Sequence, residues 1–481
     1  MNGDMGSEIK DTKFTREDFQ AFSARLKAET ELLKAWRNNG LLADQPPRVG
    51  LELEAWLVDA AGRPKPCNAE VLAHAADPLL TPELAQYNLE FNSTPRPLAG
   101  QPFKALRAEL SRVWRRTCAA AGQEDARLAL IGILPTVRQE DLNLARMSRL
   151  KRYQALNEQV LVLRNRRPLE LDIEGAEHLV LRHADVMLES ATTSLQLHLQ
   201  ATPTTAPRLF NASLMASAAT VAIAANSPYL FGRQLWEETR IPLFEQAVAV
   251  TPQHGGHAGT FARVSFGSGY SRDALYGLFV ENRQHFPVLL PVLLDEPVER
   301  LAHLRLHNGT IWRWNRPLVG FNEDGRPHLR IEHRVMAAGP TIADMIANAV
   351  FYYGVVHGLA DSTEGPDSRL PFQLAERNFY KAARFGLAAE VDWFGGTRIR
   401  LGQLIMRELL PLAARGLQLA GVDDAEAAAG LAIIEQRVAS GMTGSAWQQA
   451  YIRRHGRDFA GLLARYLENQ ESGEPVHRWA L

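Results

Sequence analysis

The stretch VGLELEAWLVD, Val49–Asp59, carries the reading of the fold. Leu51, Leu53, Ala55 and Leu57 fall on every second position, with Glu52 and Glu54 between them. Residues two apart on a strand point to the same face, so this spacing predicts a strand with one apolar face. Its other face begins with two carboxylates. Taken singly, such a strand reads as part of an antiparallel sheet with a solvated side.

Three further segments repeat the pattern. YNLEFN (Tyr87–Asn92) sets Tyr87, Leu89 and Phe91 against Asn88, Glu90 and Asn92. SLQLHLQ (Ser194–Gln200) sets three leucines against Ser194, Gln196, His198 and Gln200. LRIEHRV (Leu329–Val335) sets Leu329, Ile331, His333 and Val335 against Arg330, Glu332 and Arg334. A solvated face carries mixed Thr, Ser and Lys. These faces carry Glu52, Glu54, Glu90, Glu332 and His198, which are oxygen and imidazole ligands for a divalent cation. They also carry arginines, whose forked donors suit phosphate or carboxylate. Clustered carboxylates repel unless a cation neutralises them. Same-face neighbours stand roughly 7 Å apart, so Glu52 and Glu54 would serve adjacent ions rather than chelate one together. The chemistry implied is phosphoryl transfer from a nucleotide held by metal and arginine. There is no GxxxxGK[ST] loop, and FGSGYS (Phe266–Ser271) lacks the strand–loop–helix frame of a phosphate-binding turn.

The 481 residues are 46% hydrophobic with a formal net charge of -1, so no global field favours nucleic acid or an anionic membrane. Two cysteines, Cys67 and Cys118, give no metal spacing and no disulfide framework, which points to a reducing compartment. MNGDMGSEIKDTKFTRED lacks the apolar core of a signal peptide, and Leu209–Ala225 reads as a buried helix rather than a membrane span. A cytoplasmic location is expected.

Thr15 with Asp18 predicts a capping box, and Phe19, Phe22, Leu26, Leu33 and Trp36 a helical stripe ending at NNG. Helices are expected at 103–121, 149–163, 208–225 and 273–282, and RLALIGILPT (Arg127–Thr136) as a buried strand. After Pro340 every segment reads as helical, with DSTEGPDSRLP (Asp361–Pro371) as a mobile loop. The expected organisation is a lead-in helix over 1–47, an α+β catalytic region over 48–340 and a helical region over 341–481 packed on it as one integrated domain.

At this point the motifs resemble a known family. VGLELEAWLVD is similar to the G-x-E-x-E strand of the carboxylate–amine ligase branch of the glutamine synthetase superfamily. YNLEFNSTPRPL, TTSLQLHLQ, ANSPYLFGRQLWEETRIPLF, HNGTIWRWNRPLVGF and PHLRIEHRVMAAGPT resemble its later segments in the same order. ERNFYKAARFGLAAEVDW and LLPLAARGL look like its later helices, so the likeness spans Val49 to about Trp447. The branch matched best is the glutamate–cysteine ligase family.

The resemblance implies a glutamine synthetase-like, curved, mostly antiparallel sheet funnel with outer helices. It implies an ATP- and Mg2+-dependent ligase of glutathione biosynthesis that phosphorylates the γ-carboxylate of glutamate and joins it to cysteine. Glu52, Glu54, Glu90, His198 and Glu332 would be metal ligands, with Glu83 a further ligand or an ordinary loop carboxylate. Arg316 and Arg334 would contact phosphates or the acyl-phosphate. Two departures, Ala337 where an Asp is frequent and Gln196 where some relatives carry His, leave the amine open. The rival readings are a ligase for another amine and a non-catalytic nucleotide-binding paralogue.

Other candidates stand beside plainer readings. Arg330, on the polar strand face, is a further candidate to contact the nucleotide phosphates. Arg263 and Arg305 lie on the polar faces of expected strands (260–266 and 301–307) and are second-tier phosphate or substrate contacts. Arg233 and Arg240 would share a helix face and hold a carboxylate, or pair with Glu237 or Glu238. Arg377, Lys381 and Arg384, with Asn378, read as a solvated basic face or a phosphate approach. Trp312 or Trp314 would stack on adenine or pack in the core. His254 and His257 have no third ligand in view.

Overall fold

The computed structural model describes residues 9, 11–250, 262–362, 364 and 366–481. Alternation holds where it is expected, because each alternating segment buries its apolar positions against helices. Among the described residues, eight strands form one curled antiparallel sheet. They are β1 (Arg48–Val58), β2 (Leu80–Pro82), β3 (Asn88–Asn92), β4 (Arg96–Pro97), β5 (Arg127–Ala129), β6 (Ser194–Ala201), β7 (Asn315–Phe321) and β8 (Pro327–Ala337). The order is β7-β8-β6-β1-β3-β2, with β4 and β5 also paired to β1. The four alternating segments are therefore immediate neighbours: β8, β6, β1 and β3.

Helices relevant to the site are α1 (Arg16–Asn38), α2 (Pro102–Gln123), α3 (Ala206–Ile223), α4 (Arg240–Ala247), α5 (Ala302–Gly309), α6 (Ile342–Ala360), α7 (Phe372–Phe385) and α8 (Leu410–Leu419). Leu51, Leu53, Leu195, Leu197, Leu199 and Ile331 are buried on the helix-covered side of the sheet. Helix α3 packs against β8 and α6, and α6 against α8. The last contact is backbone-close: a Cβ on Gly416 would sit 2.0 Å from the Gly354 carbonyl oxygen. Helix α6 is long and apolar enough to cross a membrane, but 89% of its apolar window is buried inside the fold. Its Tyr353 hydroxyl donates to the carbonyls of Gly50 and His198, tying β1 to β6. On the same side, His333 bonds Asn315 Oδ1 and Thr220 Oγ1 and stacks on Tyr352. The capping box at Thr15–Asp18 starts α1, whose Phe22, Leu26 and Leu33 are buried.

Several local expectations fail for tertiary reasons. The segment 301–307 is not a strand but the start of α5, so Arg305 lies on a helix. Glu29 of α1 accepts from the Leu304 N–H (2.7 Å) and pairs with His303 Nδ1 (2.7 Å), supplying a helix N-terminus with a carboxylate that its own first turn does not contain. Of 260–266 only Val264–Ser265 pair, in a parallel ladder with Trp312–Arg313, and residues 260 and 261 lie outside the described residues. Arg233 and Arg240 do not share a helix face. Phe231 and Gly232, both at positive φ, turn the chain into a two-residue strand at Arg233–Gln234, and α4 begins only at Arg240.

RLALIGILPT contributes a strand only over Arg127–Ala129. The C-terminal region is not wholly helical: Glu390–Asp392 pairs with Arg398–Arg400. A π-turn at Ile405–Leu409 precedes Pro411, which lacks the N–H a regular helix would use. A short helix, Pro366–Arg369, lies within the expected 361–371 loop. His254 and His257 lie outside the described residues.

Candidate active site

Strand pairing turns the four polar faces into one surface. Across the sheet Arg316 opposes Glu332, Glu332 opposes His198, and His198 opposes Gly50. Gly50 has no side chain to meet the imidazole, which lies instead against the next same-face residue, with Nε2 3.0 Å from Glu52 Oε1. Glu52, His198 and Glu332 each place a ligand atom within 4.8 Å of the others. His198 is buried, and neither ring nitrogen has an aligned hydrogen-bond partner. An imidazole so placed, between two carboxylates, fits a divalent cation.

A second trio lies one step along β1. Glu54 opposes Glu90 on β3, and Glu83, from the turn after β2, completes a set within 4.8 Å. Glu90 accepts from Thr81 Oγ1 (3.1 Å) and Asn92 Nδ2 (2.9 Å), and Glu54 from the Ser194 N–H (2.7 Å) and Gln196 Nε2 (2.9 Å). Burial, then the charge of Glu83, pushes Glu54 up to about 7. Burial, then the charges of Glu52 and Glu83, pushes Glu90 well above the usual range. Three mutually repelling carboxylates with only oxygen donors fit a hard divalent cation. Sequence reading left Glu83 open because nothing in the alternation marks it; only the β2–β3 turn brings it to β1.

The arginines sort by their partners. Arg316 grips Glu332 with two parallel bonds, Nε–Oε2 2.7 Å and Nη2–Oε1 2.9 Å. Arg334 reaches the same carboxylate at 3.1 Å and also donates to Gln196. Burial alone would raise Glu332, but Arg316, Arg334 and His198 together hold it far below the usual range. Between His333 and Met336 the register slips by one residue, so Arg334 and Val335 share the place opposite Gln196. Such a bulge re-aims the chain. The Val335 carbonyl accepts from Arg240 Nη2 (2.6 Å), and Arg240 also pairs with buried Glu238 (3.1 Å). Arg330 lies two residues before Glu332, on the same face, and burial lowers its pKa. A pocket beside the second trio is lined by Glu54, Glu83, Glu189, Arg240, Trp314 and Arg334, among others. Glu189, which sequence reading missed, sits in the turn before β6; burial, then the charge of Glu83, pushes it up to about 8.

Other candidates lie elsewhere. The Arg263 guanidinium donates to the carbonyls of Thr310 and Pro287 and does not join the arginines above. Arg233 pairs with Glu177. Arg377 is exposed, Lys381 bonds the Glu390 carbonyl, and Asn378 bridges to the Asp392 backbone. Trp312 packs on Phe244 in the core. Trp314 is also buried, with Nε1 on Glu245 (2.8 Å), although its ring lines the pocket.

Known proteins share this fold. The family model for glutamate–cysteine ligase family 2 covers residues 48–478. A glutamate–cysteine ligase from Francisella tularensis, solved in complex with AMP, is similar over 90% of both chains, at 12% identity and a TM-score of 0.56. A bifunctional glutathione synthetase from Pasteurella multocida is similar over 92% of this chain and 55% of its own, at 13% identity and a TM-score of 0.50. No curated protein matches the sequence. The fold is glutamine synthetase-like, and the family is one of carboxylate–amine ligases acting on small molecules. The match runs from the first residue of β1 almost to the C-terminus and takes in both ligand trios, and the chain belongs to glutamate–cysteine ligase family 2.

Proposed function

We propose that this protein joins the γ-carboxylate of glutamate to an amine at the expense of ATP, through an acyl-phosphate, with cysteine the first acceptor to test. The observation that carries the reading is the pair of ligand trios, two carboxylates with an imidazole and three carboxylates, side by side on one sheet face and flanked by Arg316 and Arg334. Glu52, His198 and Glu332 would hold one Mg2+, and Glu54, Glu83 and Glu90 a second. Bound there, the ions would neutralise and align the polyphosphate.

The chain's own groups do the rest. Arg334, aimed by the bulge, faces the transferring phosphoryl group and stabilises charge that develops on it. Arg316 keeps Glu332 ionised and in place, and Arg330 faces the nucleotide side of the first trio. No side-chain nucleophile is needed, because ATP itself activates the carboxylate. Both cysteines are free, which agrees with a cytoplasmic enzyme. Arg263, held by backbone carbonyls, is left out of this reading.

The test is phosphate release by purified protein with ATP, Mg2+ and glutamate against a panel of amines. Release with cysteine supports glutamate–cysteine ligase, and release only with other amines moves the acceptor. No release with any amine, and no hydroxamate when hydroxylamine is offered, sinks the ligase reading. Glu54→Gln should abolish turnover while leaving the thermal melt intact.

A further inference from the structure

Glu189 has no place in the scheme above, yet it lines the same pocket as Glu54, Glu83, Arg240 and Arg334. Its backbone is fixed by the turn Val186–Ala191, in which the Thr192 N–H and hydroxyl both bond the Glu189 carbonyl (3.0 and 2.8 Å). The side chain is therefore delivered to the pocket wall by a held backbone. Its Oε2 is buried and has no hydrogen-bond partner. A buried carboxylate oxygen without a donor costs free energy unless a ligand supplies one.

The surroundings say which donor fits. The pocket's cations already have carboxylate partners: Arg240 is engaged by Glu238 and Arg334 by Glu332. The three acids of the second trio would share a cation in the reading above. Glu189 is the acid of this lining with a buried oxygen that no donor meets, although the charge of Arg334 reaches it. The lining also carries neutral Ser190, Thr192, Thr193 and Asn88 and apolar Phe244, while the charges of Glu83, Glu54 and Arg334 reach Glu189. A compact cation with several N–H donors suits this corner.

We infer that Glu189 receives a primary ammonium group of a substrate in this pocket. This rests on the ligase reading. Two substrates of that reaction could bring the group, the amine acceptor and glutamate through its α-amine, and the chemistry at Glu189 is the same for both.

Hydroxylamine separates the possibilities, since it is uncharged at neutral pH and captures an acyl-phosphate as a hydroxamate. Hydroxamate formation and amine-dependent phosphate release are measured for wild type, Glu189→Gln and Glu189→Asp. If wild type forms no hydroxamate, the ligase reading itself has failed and the role of Glu189 falls with it. If Glu189→Gln keeps the wild-type KM for glutamate in the hydroxylamine assay but raises KM for the amine roughly tenfold or more, Glu189 receives the acceptor. If it raises KM for glutamate with hydroxylamine by that factor, Glu189 receives the donor's α-ammonium. Glu189→Asp, which keeps the charge, should recover part of either loss. Unchanged KM for both substrates in a Glu189→Gln protein with a wild-type melt, or equal loss of kcat without a KM change and no recovery in Glu189→Asp, overturns the inference.

Discussion

Replacing Arg316 by Met removes both bonds of the fork on Glu332, at 2.7 and 2.9 Å, and the bond from Nη1 to the Gly309 carbonyl at 3.2 Å. Both partners are buried, with side-chain exposures of 7% and 2%. Removing one member of such a pair costs about 3–5 kcal/mol, because the other is left charged and desolvated. Arg334 remains 3.1 Å from Glu332, so the expected cost lies at the lower end, about 3 kcal/mol. Glu332→Gln should cost a similar amount, and the double variant clearly less than the sum. The coupling should be at least about 1.5 kcal/mol, the low end for a hydrogen bond to a charged group.

Equilibrium urea unfolding of the four proteins, without added metal, measures this cycle. The folded-state pKa of Glu332 lies below its unfolded value. Its contribution is therefore present in full above the unfolded pKa of about 4.3 and lost as pH falls further. The difference between wild type and Arg316→Met should accordingly shrink in acid. A coupling below about 0.5 kcal/mol at pH 7, or a difference that does not change below pH 4, would refute the claim that this pair is desolvated and holds Glu332 ionised.

Three further outcomes are expected. Gly416→Ala should destabilise the fold by more than about 3 kcal/mol, since its Cβ would meet backbone of α6 at 2.0 and 2.5 Å; an unchanged urea midpoint would contradict the close helix contact. Gly320→Ala would put a Cβ 2.8 Å from His328 Nε2 and 3.3 Å from Arg330 Nη1, so KM for ATP should rise while the melt moves little; an unaltered KM would remove Arg330 from the nucleotide side. Burial pushes His333 down to about 3, so the unfolded chain takes up its proton first and stability falls as pH drops below about 6.5. In His333→Phe the slope of stability against pH between 6 and 4 should lessen by up to ~1.4 kcal/mol per pH unit, and an unchanged slope would show that His333 is not held neutral.

The polar face of β1, β3, β6 and β8 was legible in the sequence because a strand's side-chain period is two and its apolar half must be buried. Alternation alone therefore placed Glu52, Glu54, Glu90, His198, Glu332 and Arg334 on one side of their strands, and the order of the motifs indicated the family. It could not say which strands adjoin. Register decided that Glu332 meets His198 and that Gly50 leaves the imidazole to Glu52. Tertiary structure alone brought Glu83 and Glu189 to the site from turns, where no periodicity marks a residue. It also gave Arg263 to backbone carbonyls and made a helix of 301–307 through a carboxylate on α1. Local pattern encodes which face a side chain takes. The partner it meets there is set by contacts far apart in the chain, and charge, metal affinity and catalysis depend on the partner.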